Sequence, residues 1–186
     1  IPTERFRRGC CPARSGRALP RGGRSCAGDV PAGHVEIAVL DGGFNKWIAE
    51  DRPIENTVKT PPAVKFCSDF QDHMVRSVHH ILDLINKGGD TQILDARGAG
   101  RFEGTAAEPR AGLRSGHMPG AMNLPYDKLL NENGTLRAPA QLQQLFGEAG
   151  IDLGRPVVTT CGSGVSAAVL LLGLVTMGHE ANMLYD

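Results

Sequence analysis

The chain has 186 residues with 20 basic and 20 acidic side chains, so its formal net charge is zero and no global field favours nucleic acid or an acidic partner. Its longest apolar run, residues 167–172, is far shorter than the ~20 residues of a membrane-spanning helix, and we expect no signal peptide at the N-terminus. Five cysteines, an odd number without a CxxC pair, argue against a disulfide scaffold or a zinc knuckle and favour a reducing compartment.

Residues 1–33 contain seven arginines, only two acidic residues, several glycines and almost no periodic apolar pattern. Such a segment cannot bury enough apolar surface to offset the entropy that is lost on folding. We therefore predict that it is unstructured and that Cys10, Cys11 and Cys26 within it bind no metal. A wrongly translated region, a basic transit peptide and a nucleic-acid-binding arm are the alternative interpretations of this composition.

A regular apolar pattern begins after this segment, in residues 34–52. The alternation of residues 35–40 predicts a strand, which ends in an Asp-Gly-Gly turn. Residues 44–51 then predict a short helix, with Trp47 packed in a core. Residues 53–62 contain three prolines and few apolar side chains, so we predict an extended linker and a domain boundary there.

From residue 63 to residue 186, predicted strands alternate with predicted helices. We predict strands at residues 64–66, 91–96, 122–124, 157–160 and 182–185, and helices at residues 75–87, 139–149 and 166–177. This alternation is typical of an α/β fold in which a parallel sheet carries helices on both faces. We expect His79 and His80 to be solvated and Cys67 to fill apolar space.

The strand–loop–helix unit at residues 156–178 contains the candidate nucleophile, Cys161. The β-branched run 157–160 suits a short buried strand, and the apolar stretch after the loop suits a buried helix. Two loop glycines, Gly162 and Gly164, allow the positive φ values that so tight a turn needs. Cys161 would then lie beside the amide N–H groups of a helix N-terminus, which favour an anion and hence the nucleophilic thiolate.

Two arginines, Arg101 and Arg110, lie in the glycine-rich loop that follows the preceding predicted strand. In a parallel sheet this loop emerges at the same carboxyl edge as Cys161. Two guanidinium groups there could hold a substrate carboxylate, and each charge-assisted hydrogen bond would contribute about 1.5–3 kcal/mol. The alternative is that both arginines are solvated at the surface or pair with Glu103 and Glu108.

Two other chemistries fit parts of the same unit. The pattern Gly162-x-Gly164-x-x-Ala167, with Asp186 after the next strand, fits a dinucleotide-binding fingerprint, but that fingerprint usually opens its fold and here it closes the chain. Cysteine-dependent phosphate ester hydrolysis needs an arginine at the far end of the cysteine loop, and none follows Cys161 there. A thiolate in a neutral anion nest instead suits a nucleophile that carries an extra sulfur atom as a persulfide.

Four segments together resemble the tandem-domain rhodanese-type sulfurtransferases. They are LDGGFNKW at residues 40–47, LDARGAGRFEGTAAEPR at 94–110, SGHMPGAMNLP at 115–125 and TCGSGVSA at 160–167. The resemblance implies a three-layer rhodanese-like α/β domain at residues 63–186, preceded by the tail of a first domain at residues 34–52. The loop Cys-Gly-Ser-Gly-Val resembles that of 3-mercaptopyruvate sulfurtransferases, because thiosulfate-preferring relatives carry basic residues after the cysteine.

The resemblance also implies a reaction. Cys161 would take sulfur from 3-mercaptopyruvate, release pyruvate and pass the persulfide sulfur to thioredoxin, a small thiol or cyanide. Arg101 and Arg110 would bind the substrate carboxylate and Ser163 would join a proton relay, without a cofactor or a metal. The other residues of the implied active-site loop are Gly162, Gly164, Val165 and Ser166.

Other features qualify this interpretation. We expect Asp95 and His117, which belong to the family's pattern, to support the structure, Asp95 by capping a loop and His117 by bonding backbone carbonyls. The relay's further partners would come from a first domain whose body is missing here, so we expect a fragment that turns over poorly alone. A thiosulfate-preferring enzyme and a non-catalytic persulfide carrier or binding module remain alternatives. We expect a monomer in the cytoplasm or the mitochondrion.

Overall fold

The computed structural model describes residues 38–57, 60 and 70–186. The chain divides into two compact units, of which one ends at Gln71 and the other runs from Asp72 to Asp186. Several sequence predictions concern residues outside the described part and stay predictions: the unstructured segment 1–33 with its cysteines, the strand at 64–66, Cys67 and the start of the second domain at residue 63.

The described part of the first unit contains one α-helix, α1 (Gly43–Ala49), as the sequence predicts. Gly42 precedes it with φ 83°, in the left-handed region that glycine adopts without strain. Residues 38–40 are not in a strand, and the rest of the strand predicted at 35–40 lies outside the described residues. Trp47 is half-buried and not enclosed in a core: its Nε1 donates to the carbonyl of Pro53 at 3.0 Å, and the guanidinium of Arg52 lies 5.4 Å from the ring centroid.

The second unit is built on a five-stranded sheet in which every neighbouring pair of strands is parallel. The strands are β1 (Val75–Arg76), β2 (Gln92–Asp95), β3 (Met122–Asn123), β4 (Val157–Thr160) and β5 (Asn182–Tyr185). Their order across the sheet is β1-β5-β4-β2-β3. The predicted parallel α/β architecture is therefore confirmed.

Four α-helices accompany this sheet. They are α2 (Val78–Lys87), α3 (Ala99–Glu103), α4 (Pro139–Glu148) and α5 (Val165–Thr176), with 3-10 turns at Asp72–Met74 and Tyr126–Leu129. The predicted start of α2 at residue 75 is wrong, because Ser77 is extended and caps the helix by accepting from the amide of His80. This cap leaves Val75 outside the helix, where it pairs with Leu184 as part of β1.

The core has two parts, one on each face of the sheet. Leu94 of β2 and Val157 of β4 belong to the cluster that α4 and α5 cover, together with Leu142, Phe146, Leu170 and Leu174, all fully buried. The neighbouring residues Ile93 and Val158 point to the opposite face and pack with Ile81 of α2 and Met183 of β5. Helices thus cover both faces, and the three-layer arrangement is the predicted one.

Candidate active site at the carboxyl edge of the sheet

The carboxyl ends of β2 and β4 meet at one edge of the sheet. Asp95 stands opposite Thr160 in the register, and the amide of Ala96 donates to the carbonyl of Thr160 at 2.8 Å. Cys161 follows β4 directly, so this cysteine and the segment after β2 emerge side by side, as predicted. A cleft of about 920 Å³ opens here, and the residues along it include Arg97, Arg101, Arg110, His117, Cys161 and Ser163.

Cys161 lies between the core and this cleft. It is a free cysteine with 6% of its surface exposed, and it packs in the cluster beneath α5. Gly162 has φ 123° and Gly164 has φ 67°, so both glycines take the positive φ values that the sequence predicts for this turn. The loop therefore bends sharply between β4 and α5 and leaves one small part of the cysteine open to the cleft.

Several backbone N–H groups around this loop have no hydrogen-bond acceptor among the described residues. The first intrahelical bond of α5 runs from the amide of Ala168 to the carbonyl of Gly164 at 2.9 Å, and the amide of Val165 donates to Ser163 at 2.8 Å. Within the described part of the chain, five neighbouring amides donate to no protein acceptor: those of Gly162, Ser163, Gly164, Ser166 and Ala167. These N–H groups at the start of a helix can stabilise a negative charge.

Not every residue of the implied loop reaches the cleft. Gly162, Ser163 and Ser166 line it together with Cys161. Val165 is the first residue of α5 and is 74% exposed, and among the described residues neither it nor Gly164 lines the cleft. The role of Gly164 is therefore conformational: it forms the left-handed N-cap of α5.

The two predicted carboxylate-binding arginines lie in different surroundings. Arg101 lies on the short helix α3, whereas the sequence predicts a loop, and its Nη2 contacts Oε2 of Glu108 at 2.5 Å. The pairing with Glu108 that the sequence leaves open is thus present for Arg101, while its pairing with Glu103 is not among the ion pairs of the described residues. Arg110 lines the cleft, is exposed, and has no ion pair within the described part of the chain.

The contacts of Arg97 are not predicted from the sequence. Its Nη2 donates to Oδ2 of Asp95 at 2.7 Å and to the carbonyl of Gly116 at 2.7 Å, while its Nη1 donates to Oε1 of Glu108 at 2.8 Å. Glu108 therefore lies between two arginines: Oε1 accepts from Arg97, and Arg101 donates to Oε2 and, at 3.3 Å through Nε, also to Oε1. The only signal in the sequence was the dipeptide after Asp95, which places an arginine at the strand end.

Contacts in this network shift the pKa values of Arg97 and Glu108. The hydrogen bonds that Arg97 donates to Asp95 raise the pKa of Arg97 above its ordinary value, and the two carboxylates, Asp95 and Glu108, add Coulomb attraction. The hydrogen bond that Arg101 donates lowers the pKa of Glu108, with further attraction from both arginines, although burial acts in the opposite direction. Both shifts favour the charged forms of Arg97 and Glu108.

Asp95 and His117 make the contacts expected of supporting residues. Oδ1 of Asp95 accepts from the amide of Arg97 at 2.9 Å and so caps the loop after β2. Nδ1 of His117 lies 2.7 Å from the carbonyl of Phe102, and the two rings stack with centroids 3.8 Å apart. Both residues thereby fix the loop that carries the arginines.

The described residues contain no group of three or more His, Cys, Asp or Glu side chains that could hold a metal ion. Nor is any described helix both long and apolar enough to cross a membrane.

Known proteins are similar to this chain in sequence and in fold. The model of the rhodanese-like domain family matches residues 77–186. The 3-mercaptopyruvate sulfurtransferase of Rattus norvegicus is 37% identical over 154 residues, covering 83% of this chain and 52% of the relative. The thiosulfate sulfurtransferase of Gallus gallus is 34% identical over 155 residues, with the same two shares. The crystal structure of the 3-mercaptopyruvate sulfotransferase SseA from Escherichia coli superposes with a TM-score of 0.71 at 34% identity, over 81% of this chain and 55% of SseA.

These matches decide between the fold alternatives. Asp186 does follow β5, the strand beside β4, as a dinucleotide-binding unit would require. The family match nevertheless spans this whole region, so the dinucleotide alternative is not supported. The chain spans about half the length of the curated relatives it matches. With its parallel three-layer domain and its cysteine at the carboxyl edge of the sheet, the chain belongs to the rhodanese-like domain family.

Proposed function

We propose that the protein is a sulfurtransferase that moves the sulfur of 3-mercaptopyruvate through a persulfide on Cys161 to a thiol or cyanide acceptor. The observation that carries the proposal is the position of Cys161, which borders a cleft next to backbone amides that have no protein acceptor. The similarity to the sulfurtransferases of rat and E. coli supports the same reaction class.

The first half-reaction forms the persulfide. The Cys161 thiolate attacks the donor's sulfur, an S–S bond forms, and the C–S bond breaks with its electron pair left on carbon as the enolate of pyruvate. The proton of the donor's S–H group moves to that carbon and gives pyruvate. Sulfur at the cysteine is negative before and after transfer, so the same free amides stabilise both states.

Arg101 and Arg110 hold the donor's carboxylate in this proposal, and Ser163 passes the proton. Support comes from their shared position along the cleft, which also contains Cys161. Arg110 has no ion pair within the described part of the chain and is available to an anion. Charge-assisted bonds of this kind orient a carboxylate as well as attract it.

The second half-reaction returns the cysteine to its starting state. An acceptor thiolate attacks the outer sulfur, the new S–S bond forms on the acceptor, and the Cys161 thiolate leaves. Thioredoxin, a small thiol and cyanide are the proposed acceptors, and cyanide would give thiocyanate. We further propose that the protein acts as a monomer in the cytoplasm or the mitochondrion, where a reduced cysteine persists.

The alternative donor is thiosulfate, which the name of the chicken relative specifies for that protein. The loop after Cys161 reads Gly-Ser-Gly-Val-Ser-Ala and contains no cation that would offset the second charge of thiosulfate. The arginines of the cleft instead belong to the segment after β2, Arg101 on α3 and Arg110 beyond it. They suit a donor such as 3-mercaptopyruvate, whose charged carboxylate is separate from the sulfur that is transferred. We therefore place 3-mercaptopyruvate first.

Sulfide release tests the proposal. The chain, and separately the full-length gene product, is incubated with 3-mercaptopyruvate and dithiothreitol. Dithiothreitol reduces the persulfide, releases the transferred sulfur as sulfide and is itself oxidised to its cyclic disulfide. We expect faster release with 3-mercaptopyruvate than with thiosulfate, and none above background for Cys161→Ser. Faster release with thiosulfate would reverse the donor assignment. A persulfide detected on Cys161 by mass spectrometry without turnover would instead support the carrier alternative.

A further inference from the structure

Glu108 is a buried carboxylate that the proposed chemistry does not use. Only 4% of its side chain is exposed, yet it borders the cleft. It is held by two arginines: Oε1 accepts from Nη1 of Arg97 at 2.8 Å, Oε2 accepts from Nη2 of Arg101 at 2.5 Å, and Nε of Arg101 donates to both oxygens at 3.3 and 3.2 Å. A carboxylate held between two guanidinium groups next to a candidate substrate site calls for a functional explanation.

The two arginines differ in how much of their guanidinium remains available. Arg97 is 12% exposed and has partners on all sides, since Asp95, Glu108 and the carbonyl of Gly116 accept its hydrogens. Arg101 is 34% exposed and contacts Glu108 through Nε and Nη2 only. Arg97 therefore anchors Glu108, whereas Arg101 is free on one side.

Guanidinium geometry determines what Arg101 can still bind. Its five N–H groups form two forked edges, one between Nε and Nη2 and one between Nη1 and Nη2. Glu108 occupies the first edge, with Nε at 3.2 Å and Nη2 at 2.5 Å from Oε2. The second edge keeps both hydrogens of Nη1 and one of Nη2, which is enough for a bidentate contact with another carboxylate.

We propose that Glu108 is a positioning residue: anchored by Arg97, it holds the Nε edge of Arg101 so that the Nη1 edge is presented to the carboxylate of the sulfur donor. This inference rests on the proposed function. Glu108 touches neither the donor nor the reacting sulfur, and its effect is to pre-order Arg101. A pre-ordered guanidinium binds more tightly because its side-chain entropy is already lost in the free protein.

An opposite role would be competition, in which Glu108 occupies the place of the substrate carboxylate and must be displaced. The contacts argue against it, because displacing a buried carboxylate would also leave Arg97 without one of its acceptors. The two roles predict opposite signs. Removing a positioning residue weakens carboxylate binding, whereas removing a competitor strengthens it.

The experiment compares Glu108→Gln with Glu103→Gln in the full chain. Glutamine keeps the shape of Glu108 and loses its charge. Glu103 is an exposed residue of the same helix as Arg101 and has no ion pair within the described part of the chain, so it serves as the matched control. We measure the KM for 3-mercaptopyruvate, the kcat, and the KM for cyanide. Calorimetry gives the Kd of pyruvate for each variant in a Cys161→Ser background.

We expect Glu108→Gln to raise the KM for 3-mercaptopyruvate and the Kd of pyruvate about tenfold each, with kcat and the KM for cyanide within about twofold of wild type. Glu108→Asp, which is charged but shorter, should recover part of the lost pyruvate affinity. A merely structural role would lower kcat and the melting temperature together and would not single out the carboxylate ligand.

Three results would overturn the inference. They are a pyruvate Kd that Glu108→Gln leaves equal to that of Glu103→Gln, tighter binding after the charge is removed, and no pyruvate binding by the chain. The pyruvate titration does not depend on turnover. If 3-mercaptopyruvate is not a donor while Glu108→Gln still weakens pyruvate binding, the proposed function fails and the positioning role of Glu108 stands.

Discussion

Replacing Arg97 with glutamine should destabilise the second unit strongly, because it removes the partner of two buried carboxylates. The side chains of Asp95 and Glu108 are 3% and 4% exposed, and Arg97 forms an ion pair with each of them. Removing one partner of a buried ion pair typically costs about 3–5 kcal/mol, since the remaining charge has neither water nor a counterion. Glu108 keeps Arg101, so we expect the lower end, about 3 kcal/mol, which is a large share of the ~5–15 kcal/mol that stabilises a domain.

Urea unfolding at pH 7, followed by circular dichroism, measures this cost. The matched control is Lys87→Gln, which breaks an ion pair with Asp83 whose side chains are 73% and 65% exposed. An exposed pair contributes at most ~1 kcal/mol, so the control should lie close to wild type. The double variant Arg97→Gln/Asp95→Asn should lose less than the sum of the single variants, because the amide removes the unpaired charge.

Two results would contradict this prediction. One is a loss of unfolding free energy for Arg97→Gln that is no larger than the loss for Lys87→Gln, and the other is full additivity of the losses for Arg97→Gln and Asp95→Asn. Either result would mean that water reaches these carboxylates readily and that the network is not held by its charges.

Two further predictions concern stability. Arg101 lowers the pKa of Glu108 in the folded protein, so the ionised Glu108 stabilises the fold at pH values above about 4.3, the ordinary pKa of a glutamate. This contribution is lost as the pH falls through the folded pKa. Acid titrations followed by circular dichroism should therefore show a shallower loss of stability for Glu108→Gln than for wild type. On α5, a Cβ added at Gly173 would lie 2.8 Å from Cδ2 of the fully buried Leu129, so Gly173→Ala should lower the melting temperature, although alanine gains about 1 kcal/mol in helix propensity. Gly147→Ala on α4, where nothing lies within 4 Å of the added Cβ, should keep that gain, and an equal rise for both variants would contradict the packing argument.

The sheet and the long helices could be predicted because their signals are local. Residues 157–160 and 182–185 were predicted as strands and form β4 and β5 with the same bounds, since compact apolar runs bounded by turns have few other solutions. The start of α2 was missed because Val75 continues the helical spacing of apolar residues. The helix instead begins after the Ser77 cap, and pairing with β5 gives Val75 an extended conformation.

The candidate site was predictable in part. Cys161 and its two positive-φ glycines follow from residue types in a tight strand-to-helix turn, which is again a local signal. The network around Arg97 did not follow, because Asp95 ends β2 while Glu108 and Gly116 lie 11 and 19 residues from Arg97 on irregular backbone whose path no periodicity specifies. The different surroundings of Arg101 and Arg110 likewise depend on the position of Glu108, which only the folded chain determines.

The network of Asp95, Arg97, Glu108 and Arg101 has a consequence for long-range electrostatics. Two negative and two positive groups lie in contact, so together they are electroneutral and their field falls off within a short distance. Attraction of the proposed anionic donor from solution is therefore left to Arg110 and Arg114, the exposed arginines that also border the cleft. Raising the ionic strength should thus slow the arrival of such a donor at the cleft, while the ion pairs of the neutral network, whose members are in contact, are screened much less.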